Sequence, residues 1–541
     1  MTTSISNASA QALEADKAGT KPATVQPGSP LLAELEQTWA GSLIFFVICL
    51  AIVLTTLAYG TVHYWALGLF EVGAVAIVIA WAVDAWRSGK LRFSRNTLQL
   101  PLAGLIIIGL IQLLPLGSAS DSGGALSGSV SRAISLDPYS TRLVLVQLVS
   151  LLVYFAALLA YLDSPARLRA IVRTIVIFGF ALAFFAVIQS LISPTRIYGI
   201  LEPRLATPFG PFVNRHNFAG YMEMTLALPL GLLFTSAIER EKRLLYLTAI
   251  AMMGVALLMS GSRGGMVSFF AMILFLVVLT GFRSKIDGMS TQGQNRARRI
   301  FQRVGLAMAL LLAILVGVVL IGGESSLSRF LDSVNASDPT TGRTQIWSIT
   351  LQIIKTHPVL GAGLGAYGVA YTPFDSRNGM NRPEQAHNDY LQVLADAGIV
   401  GAILGIIFIV LLFRIGLRRT RSQDVFRRGV ATGALAGCFA VLVHSIFDFT
   451  LHTTSNALLF LTFAGLATVN GRVERVIRRR RRRRLTRDLP PDAVLPAAER
   501  GVVVADPDDE FEEVFEYDEG TNQSGFARWW KDAKGDGRRR R

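Results

Sequence analysis

Cysteine is nearly absent from this chain, with only Cys49 and Cys438 in 541 residues, each inside an apolar block. That excludes a disulfide framework and a Cys-based metal site. Charge is also scarce. Charged residues make up 17% of the chain, where a soluble domain of this size carries about a quarter. The N-terminal stretch lacks a basic n-region, an apolar h-region and a small-residue cleavage site, so it is no signal peptide. Residues 1–38 read instead as a disordered leader, with the first apolar block as an uncleaved anchor. Internal repeats and paired interrupted helices, the marks of many secondary transporters, are missing too.

What the chain does have is hydrophobic sequence, 51% of it, gathered into blocks long enough to cross a bilayer core. This pattern predicts an all-α polytopic membrane protein. Twelve spans are expected near 41–61, 64–84, 98–115, 143–161, 171–192, 217–237, 244–260, 265–281, 304–322, 396–413, 430–447 and 455–470. Placing both termini in the cytoplasm puts 22 Lys and Arg in the inner loops against 11 in the much longer outer ones, as the positive-inside rule requires. Residues 471–541 carry 18 Lys and Arg against 15 Asp and Glu, sorted into separate blocks, the composition of a disordered cytoplasmic tail. The run Arg478–Arg484 beside the last span suits anionic lipid rather than nucleic acid.

Chemistry-bearing residues collect on the expected outer side. The segment GPFVNRHNFAGY ends an outer loop with Arg215 and His216. The short turn SGSRG holds Arg263 between two spans. A long outer loop, about 322–395, is expected to contain a helix over Thr344–Thr356, its isoleucines at helical spacing and its end marked by His357-Pro358. Arginine beside hydrocarbon is costly and needs a partner or a function, and its planar fork suits phosphate oxygens. The alternative for Arg215 is a snorkelling boundary residue; for Arg263, in a turn too short to need one, function ranks first. The segment AHNDYLQVLADAGIVG carries His387, followed by Asn388 and Asp389. Imidazole titrates near neutrality and suits a general base, with Asp389 or Gln392 to orient it. On residue chemistry alone, a helix-capping role for this stretch stands level with the catalytic one. Glu223 lies on the same predicted helix face as His216, about 10 Å deeper, as a buried partner for Arg215.

The string His387-Asn388 followed by Gly398-x-x-Gly401 resembles the signature of the O-antigen ligase and O-antigen polymerase superfamily. NRHNFAGY, GSRGG, GRTQIW with Arg343, and HPVLGAGLG stand ahead of it in the family's order. The resemblance covers about 205–415. It implies a GT-C-like membrane fold and a metal-independent glycosyltransferase without cofactor. The donor it implies is a glycan on undecaprenyl diphosphate, and the acceptor is a hydroxyl on lipid A-core or another glycan. His387 would then activate the hydroxyl, and Arg215, Arg263 and Arg343 would hold the diphosphate. The implied location is a bacterial inner membrane with its active site on the periplasmic face.

Two other patterns weigh less. GAGLGAY imitates a dinucleotide loop but lacks the strand–helix context, so a turn is expected. His444, Asp448 and His452, spaced by four, imitate a zinc-binding helix face near a span end, where a structural role ranks first. A ligase is the leading reading and a polymerase the alternative. A solute transporter, suggested by intramembrane Glu223 and Glu71, is more distant.

Overall fold

The computed structural model describes residues 38–116, 133–204, 206–282, 301, 304–305, 308–320, 343–375, 383–469 and 515–516. The leader, the start of the long outer loop and the Arg478–Arg484 run lie outside the described residues. The described residues from Ala40 onward form one compact unit.

The unit is helical. Its principal helices are α1 (Trp39–Leu57), α2 (Tyr64–Ser88), α3 (Gln99–Gln112), α4 (Pro138–Tyr161), α5 (Pro165–Ile192), α6 (Arg215–Phe234) and α7 (Arg243–Met259). They continue with α8 (Arg263–Phe282), α9 (Met308–Leu320), α10 (Arg343–Thr356), α11 (Tyr367–Tyr371), α12 (Asp389–Arg419), α13 (Val425–His444) and α14 (Thr454–Thr468). Each of the expected spans overlaps one of these helices. Among the described residues eight helices are long and apolar enough to cross a membrane, and α3, α9 and α14 are shorter apolar ones. The chain is thus a multi-pass membrane protein.

Local chemistry explains where several helices begin. Asp137 caps α4 by accepting from Ser140 N, and Ser164 caps α5 by accepting from Arg167 N, each with proline at the start of the helix. Asn214 caps α6 through His216 N, and Asp424 caps α13 through Phe426 N. These side chains satisfy backbone donors that a helix start leaves open.

Helix α6 runs through the interior, buried on nearly every side from Asn217 to Phe234. Its closest neighbour is α13. A Cβ on Gly231 would lie 2.3 Å from Gly433 Cα, and one on Gly433 would lie 2.7 Å from Ala227 O. Glycine is required there because the two backbones touch, the close approach that small residues permit between membrane helices. At the opposite end from the site described below, Arg427 is fully buried and donates to Leu466 O at 3.0 Å and Val469 O at 2.7 Å. It closes the carbonyl end of α14, where a cation is favoured.

Helix α10 follows the sequence expectation closely. Ile349 and Ile353 are buried and pack against Tyr367, Ala370, Ala386 and Ala395, with Ile346 and Ile354 at the margin. The apolar face therefore lies on α11, on the start of α12 and on Ala386, the neighbour of His387.

Candidate active site

Five segments meet at one end of the bundle: the start of α6, the Ser260–Gly264 turn, the start of α10, the loop leading into α12, and the stretch between α13 and α14. The end of the loop before α12 is held at Ala386, His387 and Asn388. Ala386 N donates to Gln392 Oε1 at 2.6 Å, and Trp347 Nε1 donates to Ala386 O at 3.0 Å. Asn388 caps α12, accepting from Tyr390 N and Leu391 N at 3.0 Å each. Its amide donates to Ile446 O at 2.9 Å. Between these anchors His387 takes a left-handed backbone, φ +50. Such a conformation in a non-glycine residue persists only where its surroundings enforce it.

Gln392 therefore closes the turn that presents His387 and does not touch its ring. The ring's partner is Asp448. His387 Nδ1 lies 3.3 Å from Asp448 Oδ1, and the Phe449 ring packs edge-on against the imidazole at 4.7 Å. Asp448 is almost fully enclosed, whereas His387 is 31% exposed. A second anchor holds the carboxylate: Arg343 Nη2 donates to Oδ2 at 3.0 Å, and Arg343 Nη1 donates to Phe447 O. Burial alone would raise the Asp448 pKa. The hydrogen bond from His387 and the neighbouring Arg343 guanidinium outweigh it and hold the carboxyl well below the usual range. The result is a buried, ionised aspartate behind a partly exposed imidazole whose Nε2 is left for a substrate.

Asp389 belongs to a second pair. It accepts from His452 Nδ1 at 2.8 Å, Ser445 Oγ at 2.7 Å and Leu451 N at 3.3 Å. The segments 387–389 and 445–452 are thus laced together, each contributing one histidine and one aspartate.

Deeper in the bundle, His216 Nδ1 lies 2.8 Å from Ser262 Oγ and 3.6 Å from Asp448 Oδ2. Ser262 Oγ is 3.5 Å from His444 Nε2, and His444 Nδ1 is 2.8 Å from Glu223 Oε1. Both members of the last pair are fully buried. The carboxylate read from the sequence as a partner for Arg215 therefore belongs to His444. Arg215 itself lies against the Ser260–Gly264 turn: its Nη1 is 3.4 Å from where a Gly261 Cβ would stand. Gly261 takes φ +66. Gly264 and Gly265 make room for neighbours, since a Cβ on either would come within 2.7 Å of His444 Cδ2 or 2.8 Å of Ala219 Cβ. Arg215 and Arg263, both half-buried, thus flank one turn beside the His216–Asp448 contact.

His444, Asp448 and His452 do not share a helix face, because α13 ends at His444. Each goes to a different partner: Glu223, His387 and Asp389. Ligand atoms of His216, His444 and Asp448 do fall within 4.8 Å of one another. Arg343 already occupies Asp448 Oδ2, and Ser262 Oγ sits between the two imidazoles. That donor set fits a hydrogen-bond network better than a divalent cation, which the guanidinium would repel.

The Gly-x-x-Gly step also acquires a physical reason. Gly398, φ 64 and ψ −162, breaks α12 with a kink. The freed groups pair with the HPVLGAGLG loop: Ala362 N with Ala395 O, Ile399 N with Pro358 O, and Val400 N with Val359 O. Gln112 pins both sides, donating to Leu360 O at 2.6 Å and Asp396 O at 2.8 Å and accepting from Leu364 N at 2.9 Å. Gly361, Gly363 and Gly365 all have positive φ, so this loop is a turn, as its context predicted.

Residues 248–405 match the family described as O-antigen ligase. That stretch contains Arg263, Arg343, His387, Gly398 and Gly401; Arg215, His216 and Glu223 precede it, and Asp448 and His452 follow it. Among curated proteins no match is found.

Proposed function

We propose that this membrane protein, whose residues 248–405 form an O-antigen ligase domain, transfers a glycan from undecaprenyl diphosphate to an acceptor hydroxyl, as a ligase acting on lipid A-core or another final acceptor. The observation that carries the reading is the His387–Asp448 pair, set at the same end of the bundle as Arg215, Arg263 and Arg343. In this scheme His387 Nε2 takes the proton of the acceptor hydroxyl. Asp448 keeps Nδ1–H in place and stabilises the imidazolium that forms. The acceptor oxygen bonds to the anomeric carbon as the bond to the diphosphate breaks. Arg215 and Arg263 hold the charge that grows on the leaving group, the term that matters most for a diphosphate. Arg343 adds a third positive charge and fixes Asp448. With charge neutralised by guanidinium groups, the reaction proceeds without metal or cofactor.

The same reading gives twelve spans with both termini cytoplasmic, supported by the basic inner loops, and puts the site on the periplasmic face of a bacterial inner membrane. Asn388, Asp389, Gln392, His216 and Glu223 then support the reacting groups. The alternative, a polymerase that lengthens the glycan on its own carrier, shares the donor chemistry and differs in acceptor. Transport is disfavoured because Glu223 is fully enclosed and tied to His444. Reconstitution with a lipid diphosphate-linked oligosaccharide tests the proposal. Label on lipid A-core selects ligase, a ladder on the carrier selects polymerase, and solute flux without transfer sinks both.

A further inference from the structure

His452 is not used by the scheme above, yet its setting is that of a working residue. Its Nδ1 is fixed 2.8 Å from Asp389 Oδ1, and its side chain is 34% exposed while Asp389 is nearly buried. With Nδ1 committed, Nε2 is the nitrogen left for a ligand, the same arrangement as at His387 across the laced segments. His452 also stands immediately before Thr453, the N-cap of α14, whose side chain makes no capping hydrogen bond. The first turn of α14 places partial positive charge there. Within that turn Ser455, 1% exposed, has a hydroxyl without a hydrogen-bond partner among the described residues, and so has fully buried Thr450 just before it. A partly exposed imidazole, fixed through Nδ1 by a carboxylate and standing at a helix start, describes a place for an anionic oxygen.

We propose that His452 is an anion-binding residue of this site, giving its Nε2–H to a phosphoryl or carboxylate oxygen of the substrate while Asp389 holds Nδ1. The proposal rests on the glycosyltransferase reading for the identity of that substrate: the anion belongs to the donor diphosphate or to an acidic group on the acceptor. Its protonation state agrees. Burial opposes the charged ring, but the hydrogen bond and charge of Asp389, with Asp396 behind, outweigh it and raise the His452 pKa. The ring therefore binds an anion fully at and below ordinary histidine pH, and that binding fades as pH rises through the raised value.

His452→Asn is the decisive variant, because its amide keeps a donor for Asp389 and loses the outward Nε2–H and the charge. In the full-length protein, equilibrium binding of undecaprenyl diphosphate and of a phosphorylated lipid acceptor is measured from pH 6 to 9. One of the two affinities should fall about tenfold or more in the variant, identifying the source of the anion. The wild-type pH dependence should flatten in the variant and move to lower pH in Asp389→Asn. Both affinities within twofold of wild type, or a loss that leaves the pH dependence unchanged, overturns the proposal. Turnover measured alongside separates the two readings: His452-dependent binding without glycan transfer refutes the ligase assignment alone.

Discussion

Asp448→Asn removes one proton acceptor from a buried position and leaves side-chain volume unchanged. In the native site the carboxylate takes His387 Nδ1 at 3.3 Å and Arg343 Nη2 at 3.0 Å. As His387 gains a proton in the transition state, its bond to Asp448 becomes charge-assisted, a type worth about 1.5–3 kcal/mol. At one decade of rate per 1.36 kcal/mol, its loss alone slows transfer about 10- to 100-fold. The amide can also turn its NH2 toward the ring, which misplaces the proton that His387 needs on Nδ1. The combined loss approaches the whole contribution of a general base, about 10²–10⁴. We therefore expect kcat to fall about 10³-fold with KM for the donor nearly constant. The asparagine oxygen still accepts from Arg343, and Arg343 keeps its bond to Phe447 O. Stability should then drop by about 3 kcal/mol, the lower end for a disrupted buried ion pair. The assay is single-turnover transfer from a labelled lipid diphosphate-linked oligosaccharide in nanodiscs, with thermal unfolding in parallel. A variant that keeps wild-type kcat, or that loses activity only through KM, refutes Asp448 as the residue that orients His387.

Further tests bear on the rest of the site. Arg215→Ala and Arg263→Ala should each insert normally and lower kcat/KM by about 10²-fold or more, read from transfer rates against donor concentration. Gly398→Ala should lower the melting temperature markedly, because its Cβ would stand 2.2 Å from Val359 O and the kink needs positive φ; an unchanged melting curve would discount the interlocked turn. The depressed pKa of Asp448 gives stability that is fully present above its unfolded value of about 3.9 and is lost as pH falls below that. Wild type should therefore show an acid-unfolding limb below about pH 4 that is shallower in Asp448→Asn, measured by denaturation against pH. Transfer in the presence of EDTA should match transfer without it; inhibition reversed by added metal would redirect attention to His216, His444 and Asp448.

The helices were legible because apolar blocks report bilayer thickness directly, and the α10 face because isoleucine spacing reports one packed side. Arg215 and Arg263 stood out as costly residues at membrane boundaries, whereas His387 ranked above a helix-capping reading only through its resemblance to a family signature. Asp448 was visible only as part of a four-residue spacing that imitates a metal site, since its partner is 61 residues away and on another segment. Glu223 shows the same limit: its helix face pointed toward the site, but its partner, His444, arrives on α13, and no local spacing encodes that meeting. The Gly398 kink was hidden for a different reason. Glycine before an apolar run reads as a helix boundary, and only the loop carbonyls that would strike a Cβ reveal that one helix bends there.

The most direct test compares wild type with His387→Ala in one reconstituted system, supplied with a single lipid diphosphate-linked glycan and lipid A-core. The account predicts that wild type transfers label to the acceptor and releases undecaprenyl diphosphate, and that His387→Ala, equally folded, does neither at a measurable rate. Transfer by His387→Ala at the wild-type rate would contradict it.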